Sequence, residues 1–142
     1  MIEITSDRSR IDVDRVHAWL STAYWSVGIP RDVVEHSIER SLCFSAFVND
    51  VQVGFARAVT DGTTFAYVCD VIVDDAHRGA GVGRALMASM MTHPEMQGLR
   101  RISLVTRDAH SLYQSFGFAA IAHPDRHMAI VRANPYRDRT GQ

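Results

Sequence analysis

The chain has 142 residues, 46% of them apolar, with 15 Lys and Arg against 16 Asp and Glu and a formal charge of −1. That length suits one ordinary core, and the near-neutral balance gives no electrostatic case for a nucleic-acid or membrane-surface partner. Cys43 and Cys69 lie in apolar stretches without metal-ligand spacing, so buried free thiols are expected rather than zinc or a disulfide framework.

The first ten residues carry Glu3, Asp7, Arg8 and Arg10, and no apolar run reaches the length of a membrane span. We therefore expect no secretion signal, no membrane segment and a cytoplasmic setting. One domain over residues 1–133 followed by a polar tail, 134–142, is the expected organisation.

Ile11, Val16, Trp19, Leu20, Ala23 and Val27 fall at helical spacing, with Asp12 and Asp14 in the first turn, which predicts a helix ending near Gly28. Pro30 opens a second helix over Arg31–Ser41. From Cys43 the pattern turns to aromatic and β-branched residues: Cys43–Val48, Val51–Val59 and Phe65–Val73 read as strands joined by turns at Asn49-Asp50 and Thr60–Thr63. A helix over Val82–Met91, a strand over Arg101–Val105 and a short helix over Ala109–Phe116 follow. Phe118–Ala122 and Met128–Val131 read as a closing strand pair. The order predicts an α/β layer with a mixed sheet.

Between the third long strand and the next helix lies Arg78-Gly79-Ala80-Gly81-Val82-Gly83-Arg84. Amides at a helix N-terminus lack intrahelical partners, and glycine lets an anion approach the main chain without a Cβ in the way. Arg78 and Arg84 add positive charge, so a diphosphate is the expected guest. No Lys-Ser or Lys-Thr follows, as a P-loop requires, and the glycines fall as GxGxG after a meander rather than as GxGxxG in an opening βαβ unit.

The turn resembles the pyrophosphate loop of the GCN5-related acetyltransferases, whose Q/R-x-x-G-x-G/A pattern is met by Arg78, Gly81 and Gly83. Ala109-His110-Ser111-Leu112-Tyr113-Gln114-Ser115-Phe116-Gly117-Phe118 resembles the same family's A-x-x-L-Y-x-x-x-G-F ending. The resemblance implies a single domain with a mixed, mostly antiparallel sheet of six to seven strands, splayed between the fourth and fifth, and about four helices. It implies acetyl-CoA as co-substrate, held by the turn and by Val71, Ile72 and Val73, with a backbone N–H near Val71 or Ile72 facing the thioester oxygen. Tyr113 takes the position of the acid that protonates the leaving thiolate. Many members carry Asn where this chain has Thr106, which leaves Thr106 as a weaker cofactor contact. The acceptor implied is a small-molecule or peptide amine. A sensor or interaction module that binds acetyl-CoA without catalysis is the alternative.

Asp70 stands out as a carboxylate inside an apolar strand. A two-residue turn at Asp61-Gly62 would pair Arg57 with Ala66, four residues from Asp70 and about 13 Å away at strand rise. That register leaves Asp70 unbridged and suited to ordering a water or accepting the amine's proton. Tyr24, Trp25, Phe44, Arg57 and His110 are candidate acceptor contacts, with Asp61 and His127 behind them. His123 and His127 do not share a helix face, so no metal is expected. A second copy of the chain is admitted as a partner.

Overall fold

Alternation along the central strands sets the layers. In the computed structural model of the chain, which describes residues 1–136, β1 (Glu3–Thr5), β2 (Leu42–Val48), β3 (Val51–Thr60), β4 (Phe65–Val73) and β5 (Arg101–Leu104) form one sheet in that order. The first four strands are antiparallel to their neighbours and β5 is parallel to β4. Successive strand side chains point to opposite faces. Cys43 and Phe55 thus enter one cluster with Val16, Leu20, Val34 and Ile38, contributed by α1 (Val13–Thr22) and α2 (Arg31–Glu39). Phe44 and Ala56 enter a larger cluster with Leu86, Met87 and Met90 of α3 (Val82–Thr92), joined by Tyr113 of α4 (His110–Gln114).

Local chemistry fixes each piece. The Asp12 carboxylate caps α1 by accepting from the Arg15 amide at 3.2 Å, a role in which aspartate is favoured. Gln52 is 1% exposed. Its amide accepts from the Asp12 N–H at 2.7 Å and donates to the Gly54 carbonyl at 3.0 Å, so the buried polar group is paired and α1 is joined to β3. The two-residue hairpin between β2 and β3 places Asn49 and Asp50 at φ 50° and 63°, the left-handed pair that such a turn requires.

Several expectations are corrected. Among the described residues the sheet has five strands, not six to seven, although four helices accompany it as expected. The expected closing pair does not form: residues 118–122 and 128–131 are irregular, with one 3-10 turn at Pro124–Arg126. Proline removes a donor and turns the chain there, and Met128, Ile130 and Val131 are 96%, 87% and 85% exposed. β1 is a short strand that periodicity does not reveal, recruited by pairing Glu3 with Phe47 and Thr5 with Ser45. The first helix ends at Thr22 rather than near Gly28, because Ala23 is extended. Of the tail 134–142, Tyr136 packs against the α1 and α2 cluster, and residues 137–142 lie outside the described residues. Among the described residues, no helix is long and apolar enough to cross a membrane.

Gly54 sets how closely α3 approaches the sheet. A Cβ there would lie 2.8 Å from Val82 Cγ1, 3.1 Å from Leu86 Cδ1 and 3.3 Å from the Ile72 carbonyl oxygen. Gly54→Ala should therefore lower stability by about 1–3 kcal/mol through overpacking. The check is the midpoint of urea unfolding with unchanged slope.

Candidate functional site

A β-bulge shapes the site. Gly54 pairs with Val73 and Phe55 with Ile72, but Arg57 pairs with Cys69, so Asp70 and Val71 together face Ala56. Asp70 has φ 53°, a left-handed conformation tolerated better by Asp and Asn than by most side chains. Beyond the bulge β4 bends away from β5: only Phe65–Val68 pairs with Arg101–Leu104, and Cys69–Val73 keeps β3 on one side with no strand on the other. Val71, Ile72 and Val73 thereby lie on a strand edge facing a cavity that all three line.

The Asp70 side chain holds that bend. Its Oδ2 accepts from Arg57 Nε at 2.9 Å and its Oδ1 accepts from Trp25 Nε1 at 2.9 Å. The ion-paired side chains are 9% and 18% exposed. This overturns the expected 13 Å separation of Arg57 from Asp70. The β3–β4 loop is longer than a two-residue turn and pairs Thr60 with Ala66, which brings Arg57 opposite Cys69. Asp61 stabilises the longer loop by accepting from the Thr63 and Thr64 amides at 2.9 and 2.7 Å and from the Thr64 hydroxyl at 2.6 Å. These bonds, the Thr64 hydroxyl foremost, hold its carboxyl well below the usual range. Cys43 and Cys69 flank Arg57 on the neighbouring strands, and burial pushes both thiols up to about 11.

The glycine turn follows β4 after one 3-10 turn at Asp75–His77. Gly79 and Gly81 have φ 79° and 84°, and Gly81 caps α3. The first intrahelical bond runs from Ala85 N–H to the Gly81 carbonyl at 3.0 Å, so the amides ahead of it lack helical acceptors and the helix dipole favours an anion there. Arg78, Gly79, Gly81, Val82 and Gly83 line a cavity of ≈ 770 Å³ together with the β4 edge. Ala80 sits within the turn but is not part of the lining. Arg84 points elsewhere: its guanidinium donates to Ser115 Oγ at 3.0 Å and lies 5.9 Å from the Phe116 ring centre.

Tyr113, 9% exposed, lines this cavity and a second one of ≈ 240 Å³. Burial, with lesser contributions from Tyr24 and Asp108, raises its phenol above the ordinary value, so it stays protonated at neutral pH. Tyr24, Trp25 and Val71 border both cavities, and Tyr67, Leu104, Val105 and Asp70 border the smaller one. Tyr24 and Trp25 stack edge to face at 5.0 Å, with the Arg107 guanidinium 3.8 Å above Tyr24.

The remaining candidates are placed elsewhere. Phe44 is 1% exposed, in the core against His93, because the strand alternation sends it beneath α3. Arg57 reaches the site only through Asp70. His110 is exposed and lines neither cavity. His127 lies 3.4 Å from Arg101. Thr106 borders the smaller cavity, and its hydroxyl accepts from the Ala109 amide at 3.0 Å at the start of α4. Sequence reasoning missed Tyr67, Arg107 and Asp108. Tyr67 follows from the period-2 pattern of β4, whereas the other two reach the site only through the splay. Among the described residues, no group of three or more His, Cys, Asp or Glu could hold a metal.

A mixed sheet opens between two parallel strands, with a glycine turn and the N-terminus of α3 at the opening. The sequence model of the Acetyltransferase (GNAT) family matches residues 11–118, and the chain belongs to that family. A crystal structure from Xanthomonas campestris pv. campestris, assigned to the same family, is 42% identical with a TM-score of 0.93 and 96% coverage of both chains. A Gibberella zeae protein assigned to the acetyltransferases is 29% identical over 133 residues, covering 78% of this chain and 74% of its own. Serotonin N-acetyltransferase 2 of Oryza sativa subsp. japonica is 32% identical over 126 residues; they make up 80% of this chain and 62% of the rice protein.

Removing the carboxylate should reveal its tethering role. Asp70→Ala leaves the Arg57 guanidinium buried without its partner and forces alanine into a left-handed conformation, which should cost about 3–5 kcal/mol. Asp70→Asn, which tolerates the backbone and still accepts from Trp25, should cost less. Thermal unfolding of both variants supplies the comparison.

Proposed function

We propose that the chain is an N-acetyltransferase that moves the acetyl group of acetyl-CoA to a primary amine of a small molecule or peptide by direct attack, with Tyr113 as general acid. The observation that carries this reading is the position of Tyr113: a buried, protonated phenol shared by the cavity under the glycine turn and the smaller aromatic cavity, beside the free edge of β4. The turn supports a CoA co-substrate because its left-handed glycines leave helix-terminal amides and Arg78 facing a cavity of suitable chemistry for a diphosphate. Val71, Ile72 and Val73 would hold the pantetheine side along the strand edge. A Val71 or Ile72 amide would donate to the thioester oxygen as charge develops there.

In the reaction the amine nitrogen attacks the thioester carbonyl carbon, the C–S bond breaks, and Tyr113 donates its proton to the departing sulfur. Asp70 serves this reaction by position. Its two oxygens anchor Arg57 and Trp25, which suits it to holding the strand open rather than to carrying the amine's proton.

The smaller cavity supports an acceptor with an aromatic or apolar body. Tyr24, Trp25, Tyr67 and Val105 supply apolar walls, and Asp108 supplies negative charge for the ammonium that precedes the free amine. The rice relative's name, with its arylalkylamine substrate, agrees with that lining.

A panel of amines assayed by thiol release tests the whole reading: arylalkylamines should be acetylated in preference to polyamines, and release with no amine of the panel would defeat it. Acetyl-CoA should raise the thermal midpoint where adenosine does not; equal shifts would mean that the turn reads another group. Tyr113→Phe should lower kcat by about 10²-fold or more while leaving the acetyl-CoA shift intact. Because burial raises the phenol, the wild-type rate should hold through neutral pH and fall only above the ordinary range of a tyrosine phenol. The pH profile of the Phe variant should lack that fall.

A further inference from the structure

The two cavities at the wedge leave one depression of the molecule without a role. It is a groove of ≈ 510 Å³ between α2 and β3, lined from the helix by Val33, His36, Ser37 and Arg40 and from the strand by Arg57 and Val59. Helical spacing puts the four α2 residues on one flank, at i, i+3, i+4 and i+7. Asp32, Glu35 and Glu39 fall on the other flank, and none of them lines the groove. The groove therefore has basic side chains and no acidic one. Arg40 is exposed and enters no ion pair among the described residues. Arg57 donates through Nε to Asp70 and through Nη1 to Ser41 Oγ, each at 2.9 Å, which leaves Nη2 over.

This groove adjoins the smaller cavity. Val59 of the groove pairs with Tyr67 of the cavity, and Arg57 of the groove is ion-paired with Asp70 of the cavity. Parity with Phe55 puts Arg57 and Val59 on the sheet face that α1 and α2 pack, yet Val59 and Tyr67 are 42% and 37% exposed there. They form an uncovered apolar strip from one depression to the other. From the wedge beyond β4 to the groove between β3 and α2 is about two strand spacings, or about 10 Å.

We propose that the groove is the far subsite of the acceptor, and that the acceptor is an amine with an apolar body and a carboxylate about 10 Å from its nitrogen. The amine enters the aromatic recess beside Tyr113, the body crosses Tyr67 and Val59, and the carboxylate accepts from Arg40 and from Arg57 Nη2. Charge complementarity selects this occupant: Asp108 at one end suits an ammonium, and the basic groove at the other suits an anion. A polyamine would bring a second cation to Arg40, and a free amino acid holds its two charges too close together to span the strip. An extended peptide of three residues spans about 10 Å. The inference deepens the acetyltransferase reading above and rests on it for which end of the acceptor reacts.

Phenylalanyl-alanyl-alanine and its C-terminal amide differ only in that distal charge. Calorimetric titration of each into the protein saturated with CoA reads binding without turnover. The acid should bind about tenfold tighter than the amide, with the preference shrinking as salt rises. Arg40→Gln should remove the preference without changing the amide's affinity, and Arg40→Lys, which keeps the charge, should retain most of it. Both variants should keep the wild-type circular dichroism, because the side chain stands in water. Equal binding of acid and amide, no binding of either, or a preference that survives Arg40→Gln overturns the proposal. Acetyl-CoA in place of CoA then separates the two readings. A binding preference without acetyl transfer defeats the acetyltransferase reading and leaves the subsite standing, whereas transfer to both peptides at equal KM defeats only the subsite.

Discussion

The carboxylate of Asp70, held between the Arg57 guanidinium and the Trp25 indole, governs the rest of the site. It keeps a non-glycine residue in left-handed backbone, and that residue makes the bulge. The bulge turns the end of β4 from its parallel neighbour and so opens the wedge from which the large cavity is lined. Three distant parts of the chain meet at this one group: the loop after α1, the middle of β3 and the middle of β4. A strained backbone persists only where its surroundings over-determine it, and here they do.

The open wedge sorts the chemistry by position. On the α3 side stand the helix-terminal amides and Arg78, whose guanidinium lies 3.0 Å from the Asp75 carboxylate. On the opposite side, Asp108 and the aromatic walls line a partly apolar recess, with Asp70 paired to Arg57 at its edge. Tyr113 stands between them on α4, whose entry is fixed by the Thr106 hydroxyl accepting from Ala109. The phenol is thus shared by a cavity rimmed with main-chain amides and a recess walled with aromatic rings.

How much of this was legible depended on whether the signal was local. The hairpin at Asn49-Asp50, the glycine turn and the short helix of Tyr113 are specified by neighbouring residues, and all three stand where the sequence reading puts them. Long-range register was not legible. Arg57 meets Asp70 because Asp61 collects four donors and lengthens its loop, a contest between side-chain and backbone bonds that alternation alone does not record. Phe44 was assigned to a pocket on aromatic character, yet its place is fixed by parity with Cys43 along β2. β1 and the expected closing pair failed for related reasons: a strand exists by virtue of a neighbour, and periodicity shows a face without showing what lies beside it.

Gly54 and Ala56 stand two positions apart on β3, the first beneath the helix that carries the anion turn and the second opposite the bulge. This short piece of strand therefore sets the distance between the glycine turn at the start of α3 and the bulge of β4. Changing its length by one residue would move one mark against the other by about 3.3 Å and exchange the faces of everything beyond it. Insertions belong in the surface hairpins, and the interval from Gly54 to Ala56 is a part of the chain whose count is fixed by the helix packed on one end and the bulge on the other.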